Sequence, residues 1–171
     1  MNVRRPTLFL ACTSVAWCLV GASSCSNSGG SPAGSSSDSS TSSAAPVSVG
    51  QAMTAQDGRS VTVTAFMPNY TTGNEFESAA AGKECVQVTL ALTNGGKDEW
   101  SLPLSEVSVV DQAGQKYELT FDCGSSDDIS GLVAGGHAAA KMVFEVPQGS
   151  PLNLTWVPNQ FEPAVYQTKL R

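Results

Sequence analysis

Few side chains in this sequence could do chemistry. There is one histidine, His137, and one short acidic run, Asp122, Asp127 and Asp128. A single imidazole serves a Ser-His-Asp triad only if a carboxylate orients it and a serine lies in bonding reach, and no Gly-x-Ser-x-Gly turn presents such a serine. His137 follows Gly135-Gly136 just before a strand, where a solvated or backbone-bonded imidazole is expected. His137 with Met142, Met67 or Met53 could alternatively hold copper, because thioethers suit Cu(I). The acidic run lacks the alternating spacing that wraps oxygens around calcium, so it reads as a solvated loop. Glu75 and Glu77 could in principle pair as glycosidase acids, but no aromatic-lined cleft accompanies them. We therefore expect no catalytic residue, no metal site and no cofactor. An exported hydrolase or copper-handling protein is the alternative.

The five cysteines divide by position. Arg4 and Arg5 precede an uncharged, mainly apolar stretch from Leu8 to Gly21, which contains Cys12 and Cys18. As a helix that stretch would span about 21 Å, short of the ~30 Å hydrocarbon core, so residues 1–24 read as a signal peptide. Ala22-Ser23-Ser24-Cys25 resembles the lipobox of bacterial lipoproteins. In that family the cysteine takes a diacylglycerol thioether and becomes residue one after cleavage. Small residues at −1 and −3, here Ser24 and Ala22, fit the peptidase, although the usual leucine at −3 is absent. The resemblance implies a lipid anchor at Cys25 on the outer face of the cytoplasmic membrane. The competing reading is an ordinary secretory signal with Cys25 incidental. Arg4-Arg5 leaves the twin-arginine route open beside the general one.

Residues 26–46 hold ten serines and three glycines, too little apolar surface to offset the entropy of ordering. Residues 25–46 are thus lipidated cysteine plus flexible linker, reaching roughly 25 Å as a coil. Residues 47–171 form one domain with 7 Lys/Arg against 14 Asp/Glu, net −7. That charge excludes a nucleic-acid footprint and a polybasic membrane patch. Cys85 and Cys123 are the two cysteines left in this exported domain, and they are expected to pair.

The elements that must position these groups are strands. Val61 to Ala65 alternates apolar with Thr, and Cys85 to Asn94 puts Val86, Val88, Leu90 and Leu92 on one face. Val107–Val109 and Tyr117–Phe121 flank a turn at Asp111–Gly114. Met142, Phe144 and Val146 alternate up to Pro147, and Leu152, Leu154 and Trp156 alternate up to Pro158. Trp100 and Trp156 read as core or rim packing. Asn74–Ala81 is the best helical segment, with Asn74 as cap and Gly82 as stop. The spacing predicts an all-β, antiparallel, immunoglobulin-like sandwich.

Several phrases, in order across residues 47–157, resemble a family of unknown function in exported bacterial proteins. They are Val49-Gly50-Gln51, Leu92 to Lys97, Val110 to Tyr117, and Leu132 to Gly135 leading to Met142–Pro147. The family is telokin-like and immunoglobulin-like, and related to the mycobacterial immunoprotective extracellular antigen. The resemblance implies a fold and no catalytic residue.

Two loops hold the residues the strands leave unexplained. Loop 67–83 carries Tyr70 and Phe76, either partner anchors or loop plugs, and loop 122–136 carries Asp127 and Asp128. A Cys85–Cys123 bond would bring these loops together into one acidic, partly aromatic surface. The expected role is non-catalytic binding of an envelope protein partner, with the membrane contacted only through the lipid and no nucleic acid bound.

Overall fold

A computed structural model describes residues 45–159 and 164–171. The signal 1–24, Cys25 and the linker up to residue 44 lie outside the described residues. The strands are β1 (Val47–Ser48), β2 (Ala52–Thr54), β3 (Arg59–Met67), β4 (Lys83–Asn94), β5 (Trp100–Leu102), β6 (Val107–Asp111), β7 (Lys116–Tyr117), β8 (Ile129–Leu132), β9 (His137–Pro147), β10 (Leu152–Trp156) and β11 (Tyr166–Lys169). One sheet runs β2-β3-β4-β9, the other β1-β11-β10-β6-β7, and β5 pairs with β8 in a small ribbon. All pairs are antiparallel except β1 with β11. The chain is an immunoglobulin-like β-sandwich.

The alternation seen in the sequence becomes the core. Val86, Val88, Leu90 and Leu92 of β4 and Met142, Phe144 and Val146 of β9 point inward from the first sheet. They join Val107 and Val109 of β6 and Leu152, Leu154 and Trp156 of β10 in one cluster. Full burial of each such side chain stabilises by roughly 1.5–3 kcal/mol. Leu90→Ala, with its side chain fully buried, falls in the class that costs about 2–5 kcal/mol.

Three local expectations are corrected. The register of β3 shifts between Val63 and Ala65, so Thr64 is bulged and the inward face passes to Phe66, leaving Ala65 exposed. No helix forms over Asn74–Ala81. The segment makes one turn, closed by Glu77 N–H donating to the Asn74 carbonyl, while Asn74 Oδ1 accepts from Phe76 N–H. Finally, residues 122–136 are not all loop, because β8 lies within them and pairs with β5.

The far end of β4 is a backbone knot. Buried Asn94 donates through Nδ2 to the carbonyls of Asp98 and Leu132, and its Oδ1 accepts from Gly96 N–H. Gly58 and Gly95 pack backbone against backbone, and a Cβ on Gly58 would lie 2.8 Å from the Gly95 oxygen. Only glycine permits that approach.

Candidate functional site: the disulfide end

The parity of β4 decides what lies at its opposite end. Even residues face the core, so Cys85 projects from the outer face of the sheet, beside Val143 of β9. Two loops fold over that face. Cys85 is bonded to Cys123, with Cα atoms 5.6 Å apart, and the pair packs with Val143, Tyr70 and Ala79 into a second apolar cluster. This explains why Val143 is fully buried although it points away from the main core.

The first loop is held at several points. Tyr70 N–H donates to the Cys85 carbonyl at 2.8 Å, and Ala80 N–H donates to Glu145 Oε1 at 2.8 Å. Lys83 Nζ meets the other Glu145 oxygen at 2.6 Å. The Ala80 amide, together with Lys83, holds the Glu145 carboxyl below the usual range. Glu84 is the neighbouring anchor. Its side chain accepts from Arg171 at 2.7 Å, from Gly149 N–H at 2.7 Å and from Asn69 N–H at 3.3 Å. The Arg171 guanidinium dominates over burial and holds Glu84 below its ordinary value.

The second loop guards a sheet edge. The outer edge of β9 would leave unpaired backbone groups facing solvent. Thr120 N–H donates to the Val143 carbonyl, Ser126 Oγ accepts from Val143 N–H, and Asp127 bonds Lys141 twice. The loops meet at Gly124 (φ +111), where a Cβ would lie 2.8 Å from Thr72 Cγ2 and 3.6 Å from Glu77 Oε2.

The residues singled out from sequence sort into different places. Tyr70 is half-buried against the disulfide and acts as a plug. Phe76 is 85% exposed at the apex of the first loop. Asp128 is exposed, whereas the Asp127 carboxylate is engaged by the Lys141 amide. Sequence reading missed Phe121, which is 79% exposed. Only Lys116 and Tyr117 pair with β6. The chain then crosses to the first sheet, Leu119 bridges Phe144, and Phe121 stands outside. Beneath Phe121 lies a groove of about 230 Å³ lined by Leu104, Ser105, Val107, Glu118 and Leu119.

The alternative chemistries are not assembled. Met53 and Met142 are in the core, with Met53 sulfur accepting from the Thr168 hydroxyl at 3.3 Å, while Met67 is exposed. His137 lies on the opposite face of β9 from Met142, and its Nδ1 is 3.0 Å from Thr93 Oγ1 across the strand pair. Among the described residues no group of three or more His, Cys, Asp and Glu is placed to hold a metal ion. Glu75 and Glu77 are on the first loop, not in a cleft between sheets.

A larger crevice of about 530 Å³ opens at the knot end, between Asp57, Arg59, Lys97, Glu99 and Trp100. Its arginine is already engaged: Arg59 pairs with Asp57 at 2.6 Å, donates to the Pro158 carbonyl, and lies 5.5 Å over the Trp100 ring. Trp100 in turn packs 6.1 Å from Trp156, whose Nε1 donates to Glu106 at 3.3 Å.

The sheets and the paired loops define a β-sandwich module with two loops covering one end of its first sheet. The chain belongs to the DUF4352 family, a domain of unknown function, which matches residues 47–164. That agrees with the family relation implied by the sequence motifs. Among curated proteins none matches. Among solved structures it resembles the yjhA protein of Bacillus subtilis, with TM-score 0.56 and 16% identity over 73% of this chain and 99% of that one. It also resembles the secreted protein MPT63 of Mycobacterium tuberculosis, with TM-score 0.55 and 17% identity over 74% and 98% of the two chains. A third similar structure is ycdA of Bacillus subtilis, a candidate lipoprotein, with TM-score 0.52 and 14% identity over 70% of this chain. This chain spans only 38% of the ycdA length. At such identities the likeness is one of fold. No helix among the described residues is long and apolar enough to cross a membrane.

Proposed function

We propose that this protein is an exported, lipid-anchored module that binds a protein partner without catalysis, through the two loops at its disulfide end. The carrying observation is the placement of exposed aromatics. The two most exposed large apolar side chains among the described residues are Phe76, on loop 67–83, and Phe121, on the crossing segment that runs into Cys123, and the Cys85–Cys123 bond ties that segment to β4 beside the first loop. Rigid loops on a sandwich are where binding residues concentrate, and exposed aromatics on a pinned backbone anchor partners at low entropic cost. Export and anchoring are supported by the charged and apolar N-terminal pattern before Cys25. Structural likeness to a secreted protein and to a candidate lipoprotein adds to that support. The anchor would hold the domain on the outer face of the cytoplasmic membrane, on its serine-rich tether.

The test has two parts. Mass spectrometry of the mature protein should find Cys25 as an acylated N-terminus. A soluble, unmodified chain beginning elsewhere contradicts the anchor. Envelope extracts passed over the wild-type protein and over Phe76→Ala should lose the same captured protein in the variant. Equal capture by both contradicts the binding face.

A further inference from the structure

We propose that the crevice at the knot end is a second binding site, for a small uncharged polyhydroxylated ligand of one or two sugar rings. It is independent of the binding face at the disulfide end, and such a ligand brings no second protein to the knot end. The crevice encloses about 530 Å³ between Asp57, Arg59, Lys97, Asp98, Glu99 and Trp100. That lies inside the range of roughly 300–1,000 Å³ that small-molecule sites occupy. Its walls are built before a ligand arrives. Asn94 Oδ1 accepts from Gly96 N–H, and Asn94 Nδ2 holds the Asp98 carbonyl at 2.8 Å, so the loop that carries Lys97, Asp98 and Glu99 is fixed to the end of β4. A preformed wall spares the ligand the entropy of ordering it.

The occupant follows from which lining groups are already spent. Asp57 and Arg59 pair at 2.6 Å and cancel, and Arg59 also donates to the Pro158 carbonyl. Lys97, Asp98 and Glu99 are exposed and make no ion pair among the described residues. One donor is orphaned. Trp100 Nε1 is buried without an acceptor among the described residues, whereas Trp156 Nε1 has Glu106. A buried N–H left unbonded is unfavourable and uncommon, and calls for an acceptor that a ligand can supply. An anion, or the carboxylate of a zwitterion, would meet one free ammonium flanked in sequence by two free carboxylates. A cation would face Lys97 and leave the indole N–H unmet. An apolar ligand would desolvate three charges without giving them partners. A hydroxyl accepts from an ammonium or an indole N–H and donates to a carboxylate, so a ring of hydroxyls can meet all the free groups at once.

The test is a titration of the full, isotope-labelled chain in detergent, read at the indole N–H signals in proton–nitrogen spectra. The signal lost in Trp100→Phe identifies Trp100, and Trp156, already bonded to Glu106, serves as internal control. The neutral probes are glucose, N-acetylglucosamine, maltose and chitobiose. Glycine, sodium phosphate and spermidine stand for the zwitterion, the anion and the cation. A saturable shift of the Trp100 signal is expected with at least one neutral saccharide and with none of the three charged probes. Asp98→Ala combined with Glu99→Ala, both exposed in the wild type, should weaken that saccharide by about tenfold. A Trp100 signal that no saccharide moves overturns the site, and so does saturation that the double variant leaves undiminished. Saturation by glycine, phosphate or spermidine while the saccharides stay inert overturns the uncharged occupant.

Discussion

Asp127 pairs with Lys141 through both its backbone and its side chain. Its N–H donates to the Lys141 carbonyl at 2.9 Å, and its Oδ2 accepts from the Lys141 N–H at 2.8 Å. With Ser126 taking the Val143 N–H at 2.9 Å, the acidic loop finishes the edge of an eleven-residue strand that would otherwise invite another chain. Removing both side-chain acceptors by Ser126→Ala and Asp127→Ala should cost about 1–3 kcal/mol. It should also give concentration-dependent dimers in sedimentation velocity. A variant that stays monomeric at every concentration contradicts the guard.

The disulfide closes a stretch with sequence separation 38. A crosslink of that span stabilises by roughly 4 kcal/mol in the chain-entropy model, so Cys85→Ser with Cys123→Ser should lower Tm by about 10 °C. Peptide mapping without reductant should recover the linked pair. Two alkylatable thiols in the exported protein would argue the other way.

Tyr70 and Phe76 should separate in a melting experiment. Tyr70 covers the disulfide cluster, so Tyr70→Ala opens a cavity and should cost about 2–3 kcal/mol. Phe76 is 85% exposed, so Phe76→Ala should leave Tm unchanged within about 0.5 kcal/mol of stability. Equal destabilisation by both would make Phe76 a packing residue.

Acid sensitivity follows from three carboxyls. Glu84, bonded by Arg171, Asp111, bonded by the Gln115 amide, and Glu145, bonded by the Ala80 amide, all titrate below their ordinary values. For such groups the folded value lies below the unfolded one, so the stability is present above the unfolded pKa and is lost as pH falls through the folded value. Tm should be flat from neutrality down to about pH 5 and fall below it, and Glu84→Gln should soften that fall. Glu106 has the opposite sign: burial raises its pKa, so its contribution is present below the ordinary value of 4.5 and is lost as pH rises through the raised one. Glu106→Gln, which can still accept from Trp156, should therefore raise Tm at pH 7. An acid limb unchanged by Glu84→Gln would contradict a stabilising Glu84–Arg171 ion pair.

What could be read in the sequence was whatever one strand's own alternation decides. The inward faces of β4, β9 and β10 were legible because their two faces differ in polarity. The reversal of face at Thr64 was not, since a bulge inserts one residue without a compositional mark. The glutamate and alanine run at 74–81 favours a helix locally, but Glu145 and Cys85 pin its flanks from other strands. β8 contains Ser130 and Gly131, weak strand formers, and exists through its pairing with β5. Phe121 was hidden for a related reason. Alternation from Tyr117 to Phe121 suggests one strand, whereas the chain leaves β6 after Tyr117 and crosses to β9.

Residue-specific photo-crosslinking in intact cells tests most directly whether protein partners meet the disulfide end and not the knot end. A photoreactive amino acid is placed at Phe76, at Phe121 and, as the opposite-end control, at Lys97, which lines the crevice beyond β4. One common protein adduct is expected from positions 76 and 121, and none from position 97. An adduct formed from Lys97 alone, or equally from all three, would contradict it.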